Sequence, residues 1–101
     1  MSTRDEPVPL RDALAAVGRD LGIPPPNALA AITNAWPELV GPALAPHSRV
    51  RSVRRGECVV EVDGPAWATQ LRYITDELAR RMNEACEQPV VTAIRVVVAR
   101  P

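Results

Sequence analysis

The first apolar pattern in the chain has the spacing of a helix. Its members lie four, three and four residues apart and therefore share one helical face; they are Leu10, Leu14, Val17 and Leu21. Pro9 suits the first turn of a helix, and Gly22 is typical of a C-terminal stop. We predict a helix over residues 10–21, preceded by a flexible N-terminus over residues 1–9.

A second helical pattern follows a run of three prolines, which cannot continue the first helix. Its shared apolar face carries Leu29, Ile32, Trp36 and Leu39. Asn27 can cap this helix with its side-chain oxygen. Pro37 and Pro42 each remove an amide donor and crowd the preceding turn, so we expect two segments, near residues 27–35 and 37–45.

Two strand patterns come next. Residues 49–54 alternate imperfectly, whereas the following run alternates as a half-buried strand does, with Cys58, Val60 and Val62 on one face. Residues 55–57 between the two runs suit a hairpin turn. The sequence therefore predicts an antiparallel pair of strands.

The most regular pattern is that of a long helix. Steps of four, three, four, four and three residues place on one apolar stripe Trp67, Leu71, Ile74, Leu78, Met82 and Ala85. We predict one helix of about 20 residues from this stripe. On its polar side Asp76 precedes Arg80, and Glu77 precedes Arg81, by four residues each, which is the favourable order for helical ion pairs.

The last element is a strand, because residues 90–98 are rich in β-branched side chains, with Ile94, Val96 and Val98 on one face. The element order is then helix, broken helix, strand, strand, long helix, strand. We predict an α+β fold in which a three-stranded sheet is covered by helices on one face. A chain of 101 residues can bury one modest core, so we expect a single domain over residues 10–101.

Charge is balanced in total but uneven along the chain. The 12 basic residues, all arginine, equal the 12 acidic residues in number. Residues 1–46 hold three arginines and five acids, whereas residues 49–55 hold four arginines and no acid. We call Arg49, Arg51, Arg54 and Arg55 the arginine strip. A local basic strip in a neutral chain indicates a directed contact instead of general attraction to polyanions.

The sequence also indicates where the protein acts. No stretch approaches the roughly 18 apolar residues of a membrane helix, and the charged N-terminus leads into no secretory signal. We therefore expect a cytoplasmic protein without a membrane partner. In a reducing cytosol Cys58 and Cys86 are expected to be buried free thiols.

Signatures of catalysis are missing from the sequence. His47 is the one histidine, there is no Cys-x-x-Cys or Gly-x-Ser-x-Gly, and the five glycines are too scattered to form a phosphate loop. We expect no enzyme activity, no metal or other cofactor and no small-molecule substrate. The ring of His47 is expected to bond a nearby backbone group, with a phosphate contact as the alternative.

Aromatic and basic side chains are the candidates for nucleic-acid contacts. Trp36 and Trp67 can stack on bases, but both lie on apolar stripes and are expected in the core. Tyr73 lies beside its stripe and is expected to be partly exposed.

Within the arginine strip, the two residues at the predicted hairpin, Arg54 and Arg55, are the first candidates for phosphate contacts. The two strand residues are candidates too. A cross-strand pair of Arg51 with Glu61, or protection of an exposed strand edge, would account for them equally well. Arg72, on the polar side of the long helix, can extend the patch.

Four segments, in order and at matching intervals, resemble the DciA family of bacterial replicative-helicase loaders. Residues 36–48, WPELVGPALAPHS, resemble its signature of tryptophan, an aliphatic-valine-glycine step, and alanine before histidine-serine. Residues 56–62, GECVVEV, resemble its glycine-led second strand; residues 67–71, WATQL, its helix start; and residues 94–96, IRV, its final strand. The motif positions assigned a structural role are Trp36, Val40, Gly41, His47, Trp67 and Leu71.

The resemblance implies a fold like that of a K-homology (KH) domain, a bacterial origin, a replicative DNA helicase as partner, and DNA binding during replication initiation. A KH-like fold suits single-stranded or forked DNA, but the Gly-x-x-Gly loop that clamps the backbone in KH domains is absent from this sequence. Many family members carry a long extra segment beside this domain. Because the chain is neutral, we expect weak DNA binding that falls steeply with salt.

Two other functions fit the same sequence. One is a pure protein-interaction module that uses an exposed sheet face or edge, and the other is a KH-like RNA-binding domain. Salt-dependent binding to DNA would argue against the first, and a preference for RNA over matched DNA would support the second.

Overall fold

The computed structural model describes residues 22–99, so the helix predicted over residues 10–21 and the flexible segment predicted over residues 1–9 lie outside the described part of the chain. The elements in chain order are α1 (Pro26–Asn34), α2 (Trp36–Val40), a 3-10 turn (Ala45–His47), β1 (Ser48–Arg54), β2 (Glu57–Val62), α3 (Pro65–Arg72), α4 (Thr75–Cys86) and β3 (Ala93–Val98).

The three strands form one mixed sheet in the order β1-β2-β3. β1 and β2 are antiparallel, as predicted, and β3 lies parallel to β2. The helices pack on one face of this sheet, with α3 and α4 across β3 and α1 against α4. The predicted α+β fold with a three-stranded sheet is therefore confirmed, while the closer likeness to a KH domain stays a prediction.

The core fills the space between this sheet face and the helices. Its most deeply buried side chains come from α1, β2, α3 and α4; they are Ile32, Cys58, Val60, Val62, Leu71, Leu78 and Met82. The inward set of β2 is the one that the alternating pattern predicts. Burial of several branched apolar side chains, at roughly 1.5–3 kcal/mol each, is the main stabilising contribution.

A two-residue turn joins β1 to β2. Arg55 and Gly56 both have positive φ, 51° and 85°, as a type I′ hairpin turn requires. A Cβ at Gly56 would collide with Oγ1 of Thr92, and the Gly56 carbonyl accepts from the Thr92 amide at 2.7 Å. Glycine is needed here because the turn lies directly against the segment that leads into β3.

The second helical pattern begins earlier and ends sooner than its spacing predicts. α1 starts at Pro26 and no side chain caps it, so the capping role expected of Asn27 is wrong. α2 ends at Val40 instead of near residue 45, because Gly41 adopts φ 92° and ψ 159°, a conformation open essentially to glycine alone.

The predicted long helix is two helices, α3 and α4, which is a correction to the single helix expected. The amides of Tyr73 and Ile74 bond carbonyls three residues back, and the Thr75 hydroxyl donates to the Arg72 carbonyl at 3.4 Å. Aromatic and β-branched residues at the break favour this tightening over a continued α-helix. The apolar stripe survives because both pieces face the same core.

The polar side of α4 carries ion pairs, although not all of those predicted. Glu77 accepts from Nε of Arg81 at 3.0 Å, as its spacing suggests, but Arg80 pairs with Glu77 and Glu84 instead of Asp76. Hydrogen bonds from Arg80 and Arg81 lower the pKa of the Glu77 carboxyl group. These pairs are exposed, so each stabilises the helix only slightly.

β3 begins at Ala93, three residues later than predicted. Val91 precedes it and is buried in the core, and Ile94 and Val96 pack against that core from the sheet. Val98 is predicted on the same covered face, yet it is 39% exposed. Of the helices within residues 22–99, none is both long enough and apolar enough to cross a membrane.

Candidate nucleic-acid interface

The sheet face turned away from the helices is the main candidate surface. Strand register brings to it Arg49, Ser52, Arg54, Glu57, Val59, Glu61, Ala93, Arg95 and Val97. We call this set the open face. Val59 is buried, but not in the core. Its chain neighbours Cys58 and Val60 belong to the core cluster, whereas Val59 does not. Among residues 22–99, no helix packs on this face.

β1 contains a β-bulge at Arg51. The pairing shifts between Val50, opposite Val60, and Ser52, opposite Val59, so Arg51 is the extra residue. Its side chain still reaches the open face, because Nη1 lies 3.6 Å from Oε2 of Glu61. The bulge therefore increases the density of arginines along this edge.

Glu61 neutralises part of the arginine strip. Its Oε1 accepts from Nε of Arg49 at 2.8 Å and lies 2.6 Å from Nη2, whereas Arg51 is held more loosely on the other oxygen. The Glu61 side chain is 14% exposed, against 74% for Arg49. The cross-strand pairing considered for Arg51 thus exists, but Arg49 is its stronger partner.

Arg54 and Arg55 differ from the other two residues of the strip. Both are exposed at the hairpin, and no carboxylate within residues 22–99 pairs with either of them. The Arg55 amide donates to the Gly22 carbonyl at 2.7 Å, which fixes the backbone of the turn. Among residues 22–99 no carboxylate neutralises these two guanidinium groups, which suits the phosphate contacts that the sequence assigns to them first.

Arg95 is a member of the open face that the sequence reasoning missed. Its Nε lies 3.6 Å from Oε1 of Glu57, and 61% of its side chain is exposed. The strict alternation of β3 carried the signal, because a strand with Ile94 and Val96 inward must turn Arg95 outward.

Arg72 is brought to a different layer. It occupies the last turn of α3, whose Leu71 is fully buried against the sheet. The helical layer and the open face lie on opposite sides of the sheet, so Arg72 does not extend the open face as the sequence suggested.

The aromatic residues divide into buried and exposed sites. Trp36 is 8% exposed, and its Nε1 donates to Ser48, to Oγ at 3.1 Å and to the carbonyl at 3.2 Å. A base therefore cannot stack on Trp36 without opening the core. Tyr73 is 86% exposed at the break between α3 and α4, more than the sequence suggested.

His47 and Trp67 form a stacked pair at the end of the sheet opposite the hairpin. Their ring centroids are 4.1 Å apart and their planes differ by 10°. His47 Nδ1 donates to the Asp63 carboxylate at 2.9 Å, so the expectation of a backbone partner for the ring is wrong. Asp63 in turn donates its amide to the His47 carbonyl at 3.1 Å, which ties the start of β1 to the end of β2.

The remaining motif positions have structural surroundings. Val40 and Leu71 are buried in the core, and Gly41 provides the turn after α2. Burial raises the pKa of the Cys58 thiol to about 12, so this thiol stays protonated at neutral pH. Within residues 22–99 no three histidine, cysteine or acidic side chains are grouped closely enough to hold a metal ion.

Comparison with known proteins places the chain among bacterial relatives. A family profile described as "Dna[CI] antecedent, DciA" matches residues 9–96. A UPF0232 protein of Streptomyces avermitilis is 32% identical over 93 residues, which cover 90% of this chain and 51% of the relative. A UPF0232 protein of Streptomyces coelicolor is 32% identical over 94 residues, covering 91% and 50%. One from Bifidobacterium longum is 34% identical over 68 residues, covering 67% and 44%. The chain spans about half the length of the first two.

Proposed function

The chain belongs to the DciA family, and from this premise we propose that it is a non-enzymatic accessory of bacterial DNA replication that promotes loading of the replicative helicase. In this proposal the domain docks on the helicase and holds single-stranded or forked DNA weakly through arginines of the open face and hairpin. We place this activity in the bacterial cytoplasm. Family membership supports the general role in replication, and the details are our own inference.

One observation carries the DNA part of the proposal. Arg54 and Arg55 are exposed, adjacent, and without a carboxylate partner among residues 22–99, at the corner of a sheet face that no described helix covers. Guanidinium groups in such a position can bind phosphate oxygens with two hydrogen bonds each. Arg49 and Arg51 share the carboxylate of Glu61 and contribute less.

The proposal predicts a salt-sensitive interaction. Each phosphate contact on a single strand adds about 0.7 to the slope of log affinity against log salt. Two lost contacts should therefore reduce that slope by about 1.4 and weaken binding at low salt. Base identity should matter little, because phosphate contacts carry no sequence information.

The experiment is a fluorescence-anisotropy titration of labelled single-stranded, forked and duplex DNA at several salt concentrations. The variant is Arg54→Gln with Arg55→Asn, since asparagine tolerates the positive φ of the turn. The control is Arg80→Gln with Arg81→Gln, which removes the same charge from α4 in the helical layer. Thermal unfolding of both proteins checks that the fold is intact.

A smaller salt slope in the hairpin variant, with the slope of the control unchanged, is the expected result. If the two variants have equal salt slopes, the hairpin is not part of the DNA interface. Repeating the titration with the bacterial replicative helicase present tests the loader role, since cooperative binding should tighten DNA binding by the domain.

A protein-interaction module is the second candidate, and one observation favours it. Glu57 and Glu61 lie on the open face and pair with Arg95, Arg49 and Arg51. A face on which acids and arginines are matched attracts a polyanion less than a purely basic face does, and it suits a specific protein contact. Helicase binding without DNA binding at any salt concentration would select this function.

A further inference from the structure

The two edges of the sheet differ in how they are protected. β1 carries three of the arginines and a bulge at Arg51, both of which discourage pairing with another strand. β3 pairs with β2 over six consecutive positions without a bulge, and its sequence AIRVVV contains one charge and no proline. The outer edge of β3 is therefore straight, apolar and unprotected within residues 22–99.

The backbone groups on that outer edge follow from the hydrogen bonds on the inner edge. The amide of Ala93 donates to Gly56, and the amide of Ala99 donates to Val62. Because residues alternate in direction along a strand, the odd-numbered residues of β3 face β2. The amide and carbonyl groups of Ile94, Val96 and Val98 therefore face outward, and among residues 22–99 nothing bonds them.

We propose that this edge is a docking surface for a second copy of the chain, with β3 pairing antiparallel to β3 of its partner. This interface goes beyond the proposed function and does not depend on it. The evidence for a second copy, as opposed to another strand, is that two copies of this edge, paired antiparallel, match apolar residues to each other and oppose no like charges.

The register that uses all three outward residues of β3 places the two-fold axis at Val96. Val96 then faces its own copy and Ile94 faces Val98, so all three outward residues exchange both of their hydrogen bonds. On the open face Arg95 lies opposite Val97 of the other copy. Moving the axis to Arg95 would put two like charges opposite each other and would lose two hydrogen bonds, so it is disfavoured.

The exposure of β3 is consistent with this pairing. Val98 is one of the two exposed large apolar side chains among residues 22–99, and in the dimer it would cover Ile94 of the other copy. The two-fold axis runs perpendicular to the sheet. Both open faces therefore point the same way, and the dimer presents two arginine strips on one continuous surface.

The test is sedimentation equilibrium of the 101-residue chain from micromolar to millimolar concentration, with three variants. Val98→Pro removes an outward amide and leaves the bonds to β2 intact. Val97→Arg puts an arginine opposite Arg95 of the other copy, and Val97→Glu puts a glutamate there. The matched control is Ser52→Arg, which adds the same charge to β1, at the far edge of the open face.

Dimerisation of the wild-type chain is expected, weakened by Val98→Pro and by Val97→Arg and strengthened by Val97→Glu. Two symmetric contacts should change the dissociation constant by about two- to thirty-fold in each charge variant. Ser52→Arg should leave it unchanged. Circular dichroism and thermal unfolding confirm that each variant folds.

Three results would overturn the proposal. The first is a wild-type chain that stays monomeric to millimolar concentration. The second is a dimer whose dissociation constant is the same in all four variants. The third is a monomer whose binding to the replicative helicase is lost in Val98→Pro, because the edge would then take a strand from the helicase instead of a second copy.

Discussion

Both ends of the Asn83 side-chain amide bond the backbone of Val91: Nδ2 donates to the Val91 carbonyl at 2.8 Å, and Oδ1 accepts from the Val91 amide at 2.8 Å. These two hydrogen bonds take the place of strand pairing just before β3, and they fix the path of the chain between α4 and β3. Val91 is 2% exposed, so water cannot take over from the side chain without opening the core.

Asn83→Ala is expected to lower the free energy of unfolding by about 2–4 kcal/mol, because two buried backbone groups lose their partners. Asn83→Asp keeps the acceptor but sets a carboxylate oxygen against the Val91 carbonyl, so it should also be destabilising. Glu84→Ala, on the next and exposed position of α4, should change stability by less than about 0.5 kcal/mol. Urea unfolding of the three variants measures these values, and equal effects of Asn83→Ala and Glu84→Ala would contradict the stabilising role of the Asn83–Val91 hydrogen bonds.

Glu87 offers a gain in stability. It ends α4 with φ 57° and ψ 32°, a left-handed conformation that costs an L-residue about 1–2 kcal/mol relative to glycine. Glu87→Gly should raise the free energy of unfolding by about 0.5–1 kcal/mol after the greater freedom of glycine in the unfolded chain is subtracted. Glu87→Val should lower it. Thermal unfolding tests both, and a fall in stability on Glu87→Gly would be inconsistent with strain at this position.

Cys58 makes stability depend on alkaline pH. Its pKa is raised from 9.0 to about 12 by burial. The folded state therefore keeps its proton where the unfolded state loses it. The contribution is fully present below pH 9 and is lost as the pH rises towards the folded value. Unfolding of the wild type and of Cys58→Ala between pH 7 and about 11 should show a steeper decline in the wild type; parallel curves would refute the assignment.

Glu61 restrains the arginines beside it. Glu61→Gln should release Arg49 and Arg51 from their shared carboxylate and so increase affinity for single-stranded DNA, with a salt slope steeper by up to about 1.4. Glu84→Gln removes the same charge from α4 and is the matched control. Anisotropy titrations at several salt concentrations measure both. A rise of the same size in the control would mean that net charge alone is responsible.

The sequence predicted the elements whose pattern is local. Alternation in β2 identified its inward face, and the arginine-glycine pair marked the hairpin. The long apolar stripe was correctly placed on a helical face, but it could not show the break at Ile74. Two helices that pack on one core keep the same spacing as one continuous helix.

The candidate site was predictable only in part, because it depends on register. The exposed positions of Arg54 and Arg55 follow from the turn. The pairing of Glu61 with Arg49 follows from the bulge at Arg51. The bulge shifts the strand alternation by one residue, and no pattern in the sequence predicts it. The partner of His47 is a carboxylate 16 residues away, a contact that local spacing does not specify.

The parallel pairing of β2 with β3 also sets the order in which the chain can fold. The hairpin of β1 and β2 closes over two residues, but the contact of Gly56 with Thr92 joins positions 36 residues apart. Loop closure delays such distant pairing, so we expect β3 to join the sheet after α3 and α4 have formed. Until then the inner edge of β2 stays open in a nascent chain. Refolding kinetics should accordingly be limited by the docking of the last strand, and the early intermediate should be the species most prone to aggregate.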